Sequence, residues 1–419
     1  MKPSSEKAKS ASKVSSRGSL EGHGKSVPKL RFPGFKEEWE NKQLCNECVF
    51  FSGGTPASTD AKLYNGAIPF IRSAEIDNTT TKLFLSAKGI AESSAKEVRT
   101  GDLLLAMYGA NSGDVALSKI NGAINQAILC IRSETINTRY LKFLLERDKK
   151  RITSRYLQGG QGNLSAEIIR NLRLMFPSQR EQESISRFIE MVESRIVAQR
   201  KLVELLKKQK RGLIEQIFGL RLPVGDSVKE WKTVELRDLF TKVARRNRDG
   251  KVKNVITNSA EFGLIPQKDF FDKSIAVDGS TDGYYVIRTG DFVYNPRKST
   301  TAPFGPFNRY TGTADGIISP LYTCLVPKGN ANPEYLAWYF QSTAWHRYVY
   351  DNGSQGARHD RVNMTDDLLF GIPVLLSSIM VQAQITDCLN AIDARWAAAT
   401  EMLKQIEQIK RGLLQQMFA

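Results

Sequence analysis

The stretch KRGLIEQIF at 210–218 returns two hundred residues later as KRGLLQQMF at 410–418, with six of nine positions identical. The offset holds upstream: Gln182 answers Gln382, Ile185 answers Ile385, and Arg195 answers Arg395. Other echoes have slightly different offsets, as loops of unequal length would cause. Glu38-Trp39 answers Glu230-Trp231, Gly101-Asp102 answers Gly290-Asp291, and Tyr140-Leu141 answers Tyr335-Leu336. GGQG at 159–162 answers GSQG at 353–356. Internal repetition decides architecture before any local propensity does. The chain reads as two copies of one unit, each a variable body followed by a long amphipathic segment.

Both amphipathic segments are helices by their period. With Ile185 at heptad position a, that row runs Ile185, Val192, Gln199, Leu206, Leu213. The e row runs Ile189, Ile196, Val203, Lys210, Ile217. The second copy gives Ile385, Ile392, Ala399, Ile406, Leu413 and Leu389, Trp396, Leu403, Lys410, Met417. Three- and four-residue steps over five heptads, without proline, are a coiled-coil pattern. A helix of 38 residues at ~1.5 Å per residue is about 57 Å long. A helix that long with one apolar stripe must pack on a partner, and the nearest is its own repeat. The matching ends, Lys210-Arg211-Gly212 and Lys410-Arg411-Gly412, predict two equivalent docking surfaces for two copies of a partner.

The bodies read as irregular sheet with helices, so the fold class is α+β. In the first, Ile68–Ile71, Leu103–Met107 and Ala127–Ile131 are expected strands, and Arg139–Arg155 a helix. In the second, Tyr284–Ile287, Phe292–Tyr294 and Ser319–Leu325 are expected strands, and Glu334–Tyr350 a helix. Short strands broken by Gly, Asn and Pro leave loops on a scaffold, where recognition usually sits. The expected divisions are a disordered or leader-like tail at 1–27, bodies at 28–180 and 219–378, and helices at 181–218 and 379–419.

The 419 residues carry 60 basic and 44 acidic side chains, a net charge of +16. The excess is +4 in 1–27, +7 in the first body, +2 in the first helix, +3 in the second body and zero in the last segment. Two basic bodies on nearly neutral helices point to a polyanion, nucleic acid first. No membrane span or secretory leader is expected, because no run of 18 or more apolar residues exists and the N-terminus lacks an apolar core. Cys45, Cys48, Cys130, Cys324 and Cys388 form no disulfide pattern, which fits a reducing cytoplasm. Cys45 and Cys48 form one C-x-x-C, but no second pair or suitably spaced histidine completes a zinc site.

Motifs of catalysis are missing together. There is no Walker-type phosphate loop, and Asn295-Pro296 runs into Arg297 rather than the D/N-P-P-aromatic motif of an amino-methyltransferase. No nuclease carboxylate set or Gly-x-Ser-x-Gly elbow is present. The chain is expected to be a reader rather than an enzyme.

Over residues 28–419 the sequence resembles the DNA sequence-specificity subunits of Type I restriction–modification enzymes. The resemblance is carried by VPKLRFPGFKEEW (27–39), VKEW (228–231), GGTP (53–56), YNGAIPFIRSAEI (64–76), GDLLLAMYGANSGDVAL (101–117) and GAINQAI (122–128). It is carried also by TGDFVYNPRKST (289–300), GIISPLYTCL (316–325), and GGQGNLS (159–165) followed by Pro177 and Gln182. The second junction, GSQGARHDRVNMT (353–365), is longer than the first.

The resemblance implies two target-recognition domains, each reading one half of a split site in double-stranded DNA. It implies two antiparallel coiled-coil helices that hold the domains apart. Each junction would dock one modification subunit, which binds S-adenosylmethionine and methylates adenine. Motor-nuclease restriction subunits, using ATP and Mg, would join the same assembly. The chain itself would hold no cofactor and no catalytic residue. The rival expectations are a stand-alone two-module nucleic-acid-binding adaptor or regulator, and an enzyme with a degenerate motif.

Base edges are read by Arg, Lys, Asn and Gln, and phosphates by basic or hydroxyl groups. In the first body the candidates are Arg72 and Ser73, Asn111 and Ser112, Asn125 and Gln126, and the basic helix end Lys149, Lys150, Arg151 and Arg155. In the second they are Arg245, Arg246 and Arg248 near Lys251 and Lys253. They also include the loop Asn295, Arg297, Lys298, Ser299 and Thr300, and Arg358, His359 and Arg361 at the junction. Arg297 and Lys298 are the expected base readers, and Arg245–Arg248 the expected phosphate clamp.

Overall fold

A computed structural model describes residues 27–157, 164–220, 231–267, 281–353 and 360–419. The expected tail up to Ser26, the GGQG string, most of GSQG, Glu230, and candidates Arg358 and His359 lie outside these residues. The side chain of Arg155 lies outside them too.

The two amphipathic segments are single helices, Gln179–Phe218 and Ile379–Met417. The chain divides into two compact units. One holds the described residues up to Ala198 together with Leu403–Ala419, and the other holds Gln199–Met402. Each unit therefore combines one body, the start of the helix that follows it, and the end of the other helix.

In the first unit, Val49–Ser52, Ile128–Arg132, Leu103–Ala106 and Val115–Leu117 form an antiparallel sheet in that order. A second sheet runs Leu83–Leu85, Ile68–Ile71, Gly122–Ile124, Lys96–Val98, with one parallel pairing in its middle. Leu103–Ala106 is buried throughout because both faces of its sheet are covered. Its neighbour Ile128–Arg132 is buried up to Arg132, which meets solvent and pairs with Asp102.

In the second unit, Phe240–Lys242, Thr323–Pro327, Phe292–Tyr294 and Phe307–Arg309 form the main sheet. Beside it lie the pair Tyr285–Ile287 with Gly316–Ile318 and the hairpin Ile256–Ser259 with Gly263–Pro266.

Two expected elements differ. The Ser319–Leu325 strand begins only at Thr323, because Ser319 makes a turn whose carbonyl accepts from Tyr322 N at 3.1 Å. The Glu334–Tyr350 helix is two helices, Pro333–Tyr339 and His346–Asn352. The break buries Phe340 and Trp345, with Phe340 stacked on Phe307 at 3.9 Å.

The repeated strings have repeated structural duties. Buried Gln182 accepts from Asn137 N at 3.0 Å and donates to Pro177 O at 2.9 Å. Buried Gln382 accepts from Asn332 N at 2.9 Å and donates to Ser377 O at 2.8 Å. Each glutamine thus ties the start of a long helix to the N-terminus of a body helix. At the far ends, Phe218 packs edge-on against Tyr335 at 5.4 Å, and Phe418 packs on Tyr140 at 5.0 Å. Tyr140 and Tyr335 are fully buried in the two cores.

The repeated KRG–F ends are therefore occupied within the chain. Ile214, Ile217 and Phe218 lie in one core, and Leu414, Met417 and Phe418 in the other. Arg211 and Arg411 remain exposed. The helices pack antiparallel within each unit. Gln199 Nε2 donates to Ala399 O at 2.9 Å, and further along Lys210 pairs with Asp393. In the other unit, Ile185 and Ile189 share a core with Leu414 and Met417, and Glu193 pairs with Lys410.

Candidate nucleic-acid interface

In the first unit the GGTP loop and the GAINQAI strand end come together. Gly53 N donates to Asn125 O at 3.3 Å. A Cβ on Gly53 would lie 1.7 Å from Ile124 O, so no other residue allows this approach. Thr55 Oγ1 donates to Gln126 Oε1 at 2.7 Å. Asn125 Oδ1 accepts from Ala127 N at 3.1 Å, so this side chain shapes the turn, while Gln126 is exposed.

A second group forms around Asp114, which pairs with Lys149. It brings the Gly109–Asn111 turn beside the helix Thr138–Leu157. Ser112 is buried, and its hydroxyl donates to Met107 O at 2.9 Å. Arg151 pairs with buried Asp148, whereas Lys150 is exposed.

Arg72 and Ser73 sit on a separate turn after Ile68–Ile71. Arg72 Nε lies 3.1 Å from Glu75. Burial alone would raise the Glu75 pKa, but Arg72 and the Lys82 amide hold it below its ordinary value. Arg72 is thus bound to its turn, with 42% of its side chain exposed.

In the second unit the dense basic run is partly committed. Arg245 pairs with buried Asp291. Arg246 donates to Gly283 O and to Tyr285 Oη, and lies 3.9 Å from the Tyr285 ring centre. Lys251 pairs with Asp249 at 3.0 Å. Arg248 and Lys253 are exposed.

The loop after Phe292–Tyr294 is held from below. Asn295 is buried. Its Oδ1 accepts from Arg297 N at 3.0 Å, and its Nδ2 donates to Asn258 O at 3.3 Å. Arg297 then stands 69% exposed, 3.8 Å from Asp360. An isolated bridge joins Arg297 to Arg361, and Lys298 N donates to Asp360 O at 2.8 Å. The loop and the junction segment are thereby brought together.

Beside this loop lies a cleft of about 470 Å³, lined by Arg297, Lys298, Ser299, Thr257, Gln267 and Tyr322 among others. Burial raises the Tyr322 pKa, opposed by a hydrogen bond with Thr257 and by the nearby charges of Arg297 and Arg361. Arg361 also lines a second cleft of about 380 Å³ with Tyr294 and Leu321. Sequence reading missed Gln267 and Tyr322, because Tyr322 fell within the expected strand Ser319–Leu325 and Gln267 within no expected element. Only the fold of the hairpin brings Gln267 to the loop.

Among the described residues no cluster of His, Cys, Asp and Glu could hold a metal ion, and no helix is long and apolar enough to cross a membrane. Cys45 and Cys48 are free thiols, and burial pushes Cys48 up to about 11. Cys130 and Cys324 are buried and pushed up to about 12. Those three thiols stay protonated at neutral pH.

Two mixed sheet-and-helix bodies in tandem repeat, joined to long helices that pack together, define a class of two-domain proteins with exposed polar loops. Residues 36–207 match the family described as the Type I restriction modification DNA specificity domain. The Type I restriction enzyme MjaVIII specificity subunit of Methanocaldococcus jannaschii is 22% identical over 232 residues, 52% of this chain and 51% of that protein. The chain thus spans about half the length of that relative. The putative Type I restriction enzyme MjaX specificity subunit of the same organism is 22% identical over 428 residues, 90% of this chain and 92% of that one.

Among solved structures, the S subunit of a Type I system from M. genitalium is similar at TM-score 0.53. It shares 14% identity and aligns over 94% of this chain and 99% of its own. A structure described as concerning complex assembly and conformational transition of the type I R-M system is similar at TM-score 0.56 and 17% identity, over 91% and 97% of the two chains. These likenesses establish the fold. The chain is thus similar, over residues 36–207 by family and over most of its length by its relatives, to the specificity subunits of Type I restriction–modification systems.

Proposed function

We propose that this chain recognises a bipartite, asymmetric site in double-stranded DNA, one half-site per domain. It directs adenine methylation and restriction by partner subunits. Two modification subunits bring S-adenosylmethionine, and motor-nuclease restriction subunits bring ATP and Mg. The work is cytoplasmic.

The observation that carries this reading is the tandem repeat itself. Two bodies with unlike loops are attached in the same way to paired helices, through Gln182 and Gln382 at their starts and Phe218 and Phe418 at their ends. Equivalent attachments with unlike loops fit a site whose halves differ in sequence. In the first domain the proposed contacts are Gln126 and Asn125, Asn111 and Ser112, Arg72 and Ser73, and the basic side Lys149, Lys150, Arg151 and Arg155. In the second they are Arg297, Lys298 and Ser299, with Arg246, Arg248, Arg358 and Arg361. Arg297 and Gln126 stand out as exposed side chains on braced loops.

Methylome sequencing of cells that express this chain with Type I modification subunits tests the proposal. A split motif with two dissimilar halves, methylated on adenine, is the expected result. A continuous motif, or methylation independent of this chain, would overturn it.

A further inference from the structure

Three amides converge on the cleft beside the Arg297 loop: Asn258, Asn295 and Gln267. Two are fully engaged by the protein. Asn258 donates to Val293 O and Pro306 O, and its Oδ1 accepts from Asn308 at 2.7 Å. Asn295 accepts from Arg297 N and donates to Asn258 O. Gln267 differs. Its backbone N is anchored to Val255 O at 2.8 Å, yet its side-chain Oε1 is buried with no hydrogen-bond partner among the described residues. A buried acceptor left unpaired is costly, and a ligand that supplies a donor relieves the cost.

The chemistry of that donor is restricted. A phosphate presents only acceptors and cannot satisfy Oε1. The basic side chains of the domain, not this oxygen, are the partners for phosphate. On the major-groove edge, guanine offers N7 and O6, both acceptors, and thymine offers O4 and a methyl group. Adenine and cytosine alone present an amino group there. The exposed rim residues Arg297, Ser299 and Thr301 leave the cleft open to such an edge from outside.

Resting on the DNA-recognition function proposed above, we propose that Gln267 is a specificity-determining residue of the second domain, whose Oε1 accepts from the exocyclic amino group of an adenine or cytosine. Arg297 and Lys298 contact their own positions of the half-site, and Gln267 discriminates at this one. The first domain carries no part of this contact.

The wild-type motif is first read by methylome sequencing of cells co-expressing the modification subunits. Absence of any split motif at that stage would sink the parent function, not this contact. Gln267→Met is then compared in the same cells. It keeps the length of the side chain and removes the acceptor. At one base pair of the half-site read by the second domain, the sequence preference should fall at least tenfold, with the other half-site unchanged. An unchanged motif, or relaxation only in the half-site read by the first domain, would overturn the assignment.

Binding of the assembled complex to duplexes separates the two bases. Purine in place of adenine, or 2-pyrimidinone in place of cytosine, removes the amino group alone. The responsible base should lose at least tenfold affinity with wild-type protein and show no further loss with Gln267→Met. Equal losses in both proteins would refute the contact. If Gln267→Met abolishes methylation altogether, Gln267→Glu decides, because it retains the acceptor. A preserved motif supports the proposal, and loss of the motif in a variant that melts like wild type overturns it.

Discussion

Lys410 places its ammonium 2.7 Å from Glu193, on the opposite helix of its unit, in the position that Lys210 occupies against Asp393 in the other. The two contacts exchange when each residue number is shifted by the repeat offset. Under the same shift, the Gln199–Ala399 contact is its own counterpart. Lys410 also meets Glu146 at 2.6 Å, and Lys142 completes the group at 2.7 Å from Glu193. Lys210 instead lies near the rings of Trp338 and Trp396, at 5.0 and 5.1 Å. The same lysine thus closes both helix pairings with different neighbours.

Lys410→Ala should destabilise the first unit more than Lys210→Ala destabilises the second. Loss of Lys410 leaves Glu146 and Glu193 close together with only Lys142 between them. Both carboxylates are about a third exposed, so the cost is well below that of a fully buried broken pair, about 1–2 kcal/mol. Urea unfolding of both variants checks this. Equal shifts would show that the carboxylate pair is not held by Lys410.

The pH dependence of this group has a definite sign. Burial alone would raise Glu193, but Lys142 and Lys410 outweigh it and lower its pKa. Burial would lower Lys410, but Glu146 and Glu193 raise it. The Glu193 contribution is present above the ordinary carboxylate pKa and is lost as pH falls through its depressed value. The Lys410 contribution is present below the ordinary lysine pKa and is lost as pH rises through its elevated value. Between these limits, melting of wild type and Glu193→Gln should differ by a constant amount. The difference should shrink on the acid side.

The helices were legible because period and repeat are local to the string. Their antiparallel pairing came from family resemblance, and the contacts at Gln199 and Lys210 supply its physical form. The buried strand Leu103–Ala106 was legible from its unbroken apolar run. The partners of charged residues were not. Arg245 looked like part of a free basic cluster, yet Asp291, 46 positions away, neutralises it. Asn295 looked like a reader, and its amide instead braces the loop beneath Arg297. Gln267 carries no sequence signal, because its importance lies in one oxygen that the fold leaves without a donor.

Gly305 holds that loop from the other side. Its φ is +84°, and a Cβ there would lie 2.0 Å from Asn295 O. Gly305→Ala combines left-handed backbone strain with a clash against main chain, and should cost about 1–3 kcal/mol locally. Recognition by the second domain should fail while the first half-site persists. Methylation at sites matching only the first half, or none in the second, is the readout.

Base and phosphate contacts should separate by salt dependence. Arg297→Ala should relax one position of the second half-site and spare the rest. Arg248→Ala and Lys150→Ala should weaken binding to all sequences alike and flatten the salt slope by about 1 each. Binding of the assembled complex at several salt concentrations distinguishes them. If Arg297→Ala alters neither specificity nor slope, that residue does not touch DNA.

The last expectation concerns the long helix as a ruler. Gln179–Phe218 is one unbroken helix of 40 residues, so an insertion within it is carried along its axis. Four residues between Leu205 and Lys207 add about 6 Å and turn the helix by only about 40°, because four residues slightly exceed one turn. The apolar stripe is thus nearly preserved, although Lys210 is displaced from Asp393. At 3.4 Å per base pair, 6 Å corresponds to roughly two base pairs. The recognised site should therefore gain about that many unspecified positions between its halves. Neither recognition body is touched, so the bases of both half-sites should stay as they are. Sequencing of methylated sites reads both quantities at once, and altered half-site bases with an unchanged gap would refute the ruler.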